Sequence, residues 1–131
     1  MATAIQAARG SVTDLLRQAR IVLAEGRMSS DPGERFRLAH LSALRTAAAV
    51  LALRGRPAAT RRRLVPVWVL LQKLAPEHAE WAGFFAAGAS VRAAVEAGAA
   101  SAVTPRAADD QLRAAEEFLA LVEGSVGMLA A

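Results

Sequence analysis

The 131 residues contain no cysteine and no tyrosine, and Lys73 is the only lysine. The missing thiols exclude disulfides, a cysteine nucleophile and zinc–cysteine sites, in keeping with a reducing compartment. Two histidines, His40 and His78, are too few for a dedicated transition-metal site. The glycines never fall as Gly-x-Gly-x-x-Gly and never precede Lys-Ser/Thr, and no Ser-His-Asp grouping occurs, so neither a metal nor a cofactor is expected. Long apolar runs are also lacking. Residues 47–53 and 64–71, the second interrupted by Pro66, fall short of the roughly 18 residues of a membrane span. The opening Met1-Ala2-Thr3-Ala4-Ile5-Gln6 carries no positive n-region and no apolar h-region. The expectation is a cytoplasmic protein with no membrane contact.

What is present is alanine, arginine and leucine. A hydrophobic content of 54% over this length suits one domain able to bury roughly two thirds of its unfolded surface. The net charge of +4 favours an anionic partner, although Ala and Arg also rise together under GC-rich coding, so basicity alone does not select phosphate.

Apolar spacing predicts about five helices in a compact antiparallel bundle, with residues 1–10 a loosely ordered N-terminus, 11–124 the domain and 125–131 a C-terminal tail. Ser11 is placed to cap a first helix whose apolar face is Val12, Leu15, Leu16, Ala19, Val22 and Leu23, ended by Gly26. Asp31, Pro32 and Glu34 are the N-cap, first helical position and third position of a second helix reaching about Arg54. Apolar on most sides and dense in alanine, this segment is expected to be the central helix. Residues 55–65 read as a loop, and a short third helix follows until Pro76. The fourth carries Trp81, Phe84, Phe85, Gly88, Val91 and Val95 and ends at Gly98. Thr104-Pro105 opens a fifth, which buries Ala108, Leu112, Ala115, Phe118, Leu119 and Val122 and frays near Gly124 and Gly127. No segment alternates as a strand does.

The chemistry offered by these residues is sparse. His40 falls among Phe36, Leu44, Ala47 and Leu51 on a helical projection, which is a core position. Its sharper reading is an Arg-x4-His pair with Arg35, in which the imidazole acts on a ribose 2′-hydroxyl and the guanidinium steadies phosphate charge. Five residues along a helix place the two about 140° apart, poor for convergence within one chain, and Arg37 is nearer by spacing. His78, between Glu77 and Glu80, reads as part of a solvated helix start. Arg54, Arg56, Arg61, Arg62 and Arg63 form the candidate nucleic-acid-binding cluster, because closely spaced guanidinium groups make bidentate phosphate contacts. Trp68 stands just beyond it, where it either stacks a base or packs with Leu71 in the core. Trp81, Phe84 and Phe85 read as core or as a subunit seam.

The stretches 34–51, Val67-Trp68-Val69-Leu70-Leu71, 75–86 and Ala107-Ala108-Asp109-Asp110-Gln111-Leu112 resemble an actinobacterial branch of the HEPN superfamily across most of residues 11–124. The resemblance implies a helical bundle, a homodimer, and coding beside nucleotidyltransferases or within toxin-antitoxin and defence systems. In its catalytic members it implies metal-independent RNA cleavage by an Arg-x4-6-His motif. That motif lies late in the family's bundle. Here no histidine follows His78, the residue at motif distance before it is Lys73, and Arg35 and His40 sit on an early helix.

Two functions follow as expectations. The leading one is a non-catalytic module that binds a protein partner, such as a nucleotidyltransferase or DNA-repair enzyme, or RNA or another nucleic acid. The alternative is a metal-independent ribonuclease joining Arg35 and His40 across a dimer interface. Exposure of His40 in an arginine-lined cleft separates the two.

Overall fold

A computed structural model describes residues 2–55, 66–99 and 103–130, the side chains of 2–9 and 128–130 excepted. Among the described residues there are five α-helices, α1 Ala2–Met28, α2 Pro32–Leu53, α3 Val67–Leu74, α4 Ala79–Glu96 and α5 Pro105–Ala130, with a 3₁₀ turn Pro76–His78 before α4. No strand occurs among the described residues.

α2 begins where its residue chemistry places it. Asp31 is extended, and its carboxylate accepts the Glu34 N–H at 2.9 Å, while Pro32 occupies the first turn, where no backbone donor is needed. The helix ends at Arg54, and Gly55 follows with a φ of 66°, a left-handed conformation that costs glycine little. Thr104 caps α5 in the same manner, its hydroxyl accepting the Ala107 N–H at 3.1 Å.

The inner face of α2 is unusually thin. Ala39, Ala43, Ala47 and Ala49 are all fully buried, and the small side chains let α1 and α5 approach closely. Ser42 reaches across to donate to the Ala19 carbonyl of α1 at 2.8 Å, and Thr46 returns its hydroxyl to the Ser42 carbonyl at 3.0 Å. Both polar groups are thereby satisfied inside the core. Gly26 lies 3.4 Å from Leu38 Cβ, measured from where its own Cβ would stand, so α1 and α2 nearly touch there.

The pairings give the helix directions. Ser42 against Ala19 and Gly26 against Leu38 set α1 antiparallel to α2, while Phe36 against Gly88 and His40 against Phe85 do the same for α4. Arg35 meets Asp109 at one end, and Val50 lines a cavity with Val122 at the other, so α5 runs with α2. The α1–α5 seam carries Arg20–Glu123 at 2.9 Å and Arg27–Glu116 at 3.1 Å, half-exposed pairs that set register more than stability. A second, smaller apolar cluster of Phe36, Val103 and Ala108 closes the α4–α5 end.

Several sequence expectations are corrected. α1 starts at Ala2, not Ser11, over an alanine-containing stretch of high helix propensity, and it passes through Gly26, which serves close packing and not termination. α5 continues through Gly124 and Gly127 to Ala130, so helical backbone extends into both terminal stretches. On α4 the buried positions are Ala82, Phe85 and Gly88, and Phe84 is 44% exposed. Gln111 takes a buried place beside Gly88, and Leu112 is only partly covered. Averaged along the helix, α2 is long and apolar enough to cross a membrane, which the run-length reading missed. Of that window 61% is buried by neighbouring helices, the position of a core helix.

Two glycines of α4 yield a contrasting prediction. A Cβ at Gly88 would lie 3.2 Å from Phe36 Cζ and 3.3 Å from Gln111 Nε2, whereas none of these contacts exists at Gly83. Gly88→Leu is expected to lower stability by about 1–3 kcal/mol through overpacking. Gly83→Ala is expected to raise it by about 1 kcal/mol through helix propensity. Urea denaturation followed by circular dichroism measures both.

Candidate functional site

His40 belongs to the core. It is 1% exposed, lies edge-on to Trp68 and Phe85 at centroid distances of 5.7 and 6.3 Å, and has Nε2 3.0 Å from the Phe85 carbonyl oxygen. A carbonyl only accepts, so Nε2 carries a proton and donates to Phe85, while among the described residues Nδ1 has no hydrogen-bond partner. Burial lowers the His40 pKa below its ordinary 6.5; the Phe85 hydrogen bond opposes this, the Arg92 charge adds to it and Glu96 partly offsets Arg92.

Arg35 is held elsewhere. Its Nε and Nη2 donate to the Ser29 carbonyl at 3.2 and 2.9 Å, and Nη1 pairs with Asp109. The side chain thus joins the α1–α2 turn to the start of α5. Arg35 and His40 face different neighbours and do not converge within the chain, as their angular separation on α2 dictates. Arg37 is committed to Glu34 one turn back.

Of the arginine cluster, Arg54 is described: it donates to the Leu74 carbonyl at 3.1 Å and pairs with Glu77, which fastens the end of α2 to the 3₁₀ turn. Arg56, Arg61, Arg62 and Arg63 lie outside the described residues. Trp68 is 5% exposed and stacks on Phe85 with centroids 5.2 Å apart, which gives it to the core and not to a base.

His78 corrects its sequence reading. It is 8% exposed, meets Phe118 edge-on at 5.6 Å, and has no partner for Nδ1 among the described residues. Burial lowers its pKa, against the pull of Glu77 and with the push of Arg54. The 3₁₀ turn begun by Pro76 carries the imidazole inward against Phe118 of α5. The 78, 82, 85 spacing was the sequence signal for this buried face. His78 borders a cavity of about 180 Å³ with Arg54, Glu77, Val50, Val122 and Ser125.

A more open groove of about 350 Å³ runs between α4 and α5, with Trp81 and Phe84 as its floor and Glu80, Asp110, Arg113 and Glu117 on its sides. Trp81 is fixed from beneath by stacking on Phe85 and Phe118, at 6.2 and 5.7 Å. Among the described residues no group of three or more His, Asp or Glu is arranged to hold a metal ion.

Burial lowers both imidazole pKa values below the ordinary 6.5 that they regain on unfolding, so the unfolded chain binds more protons than the fold as the pH falls through that value. Stability is therefore expected to decrease from pH 7.5 to 5.5. His40→Gln and His78→Gln are each expected to flatten the slope, as read from urea midpoints across that range.

A family described as HEPN_SAV_6107-like HEPN matches residues 26–123, from the last turn of α1 through most of α5. No curated protein and no solved structure matches the chain.

Proposed function

Since the chain belongs to the HEPN_SAV_6107-like HEPN family, we propose that it is a non-catalytic member of the HEPN superfamily, a helical-bundle module that acts by binding a partner. The observation that carries this reading is the place of His40. A general base must come within about 2.6–3.2 Å of the proton it takes. At 1% exposure, with the Phe85 carbonyl on Nε2 and aromatic edges about it, His40 has no path to a ribose hydroxyl. Joining two subunits adds cover to a surface and does not open a core, so an active site shared across a dimer meets the same obstacle. Arg35, committed to Ser29 and Asp109, supports the same conclusion.

The partner we infer is a protein; the resemblance points to a nucleotidyltransferase, and a DNA-repair enzyme is the other candidate. Incubation of the purified chain with varied RNAs in EDTA is expected to leave them intact. Cleavage by the unmodified protein that is lost in folded His40→Ala and Arg35→Ala variants would overturn the reading in favour of a metal-independent ribonuclease.

A further inference from the structure

We propose that the groove between α4 and α5 is a docking surface for an arginine side chain presented by a protein partner; this rests on the reading of the chain as a binding module. The floor of the groove supplies the first argument. Phe84 is 44% exposed although an aromatic ring gains most from burial, and Trp81 beside it is only partly covered. The Phe84 ring stands edge-on to Phe85 at 5.2 Å, and Trp81 lies on two buried rings, so both aromatic faces are held in place before anything binds.

Charge identifies the occupant. In a chain of net charge +4, this groove places three carboxylates, Glu80, Asp110 and Glu117, around a single guanidinium. Arg113 is 3.9 Å from Asp110, and among the described residues neither Glu80 nor Glu117 is paired with a cation. A cation over an aromatic floor with carboxylates at the rim gains from both. Arginine fits better than lysine because its planar guanidinium stacks on a ring face while its edge forks to a carboxylate. The same rim disfavours the competing occupants. Nucleic acid would bring phosphates against three carboxylates, and a second copy docked groove to groove would set like charge against like.

The test uses the full chain and a fluorescently labelled alanine-based helical peptide bearing two arginines four residues apart. Fluorescence anisotropy compares it with peptides carrying lysine or glutamate at the same places. Binding is expected in the order arginine, lysine, then no binding for glutamate. Phe84→Ala and the double variant Glu80→Gln/Glu117→Gln are each expected to weaken the arginine peptide about tenfold, and Ile21→Ala, on the far side of α1, to leave it unchanged. Each altered side chain is solvent-facing, and circular dichroism verifies folding. Equal affinity of the native and groove-altered proteins for the arginine peptide would overturn the proposal. So would a concentration-dependent dimer abolished by Phe84→Ala with no arginine binding, which would give the groove to a second copy. RNA cleavage in EDTA is a separate readout and decides only the binding-module reading.

Discussion

Everything in this bundle depends on the enclosure of α2. The helix is covered by α1, α3, α4 and α5, and the close approach of α1 is permitted by a run of alanines where larger side chains would hold the backbones apart. The energetic gain per alanine is small, so the close packing has to be extensive. It is supplemented where aromatic mass is available: Trp68, Phe85, Trp81 and Phe118 form a stacked series between α3, α4 and α5. The core therefore has two textures, a thin alanine seam on the α1 side and a thick aromatic one on the α4 side.

That division explains the fate of the polar residues on α2. On the α1 side Ser42 finds the Ala19 carbonyl, a bond that only a short helix separation allows. On the α4 side His40 fills a space among rings and spends a proton on Phe85. The histidine is a packing residue with a polar tip, and its lowered pKa follows from the burial that the aromatic layer imposes. Removing water from His40 and holding it ready for a substrate are opposing demands, and the fold meets the first.

The outside of the same aromatic layer is where the molecule has surface to offer. Phe84 follows directly on Phe85 in α4, and neighbouring positions on a helix point about 100° apart, so one ring enters the core while the other faces water. The carboxylates of α4 and α5 then surround an apolar floor, which sets this region apart from the arginine-rich remainder.

Much of this was legible in the residues. Asp31-Pro32-x-Glu34 and Thr104-Pro105 specify helix starts by local hydrogen-bond chemistry, and the positions Val12, Leu16, Ala19 and Leu23 specify a buried face by spacing alone; such signals need only a few neighbours in the chain. The helical class and the membership of the HEPN superfamily belong to the same category. Glycine was less readable, since Gly26 punctuates a sequence yet admits a neighbouring helix in the fold, and the choice depends on residues far along the chain. The separation of Arg35 from His40 follows from their spacing on one helix, whereas the contact of His78 with Phe118 of α5 and the exposure of Phe84 were decided by tertiary structure. Each depends on which helix covers which face, and that is set by long-range packing among Phe85, Phe118 and the α2 alanines, which local periodicity does not encode.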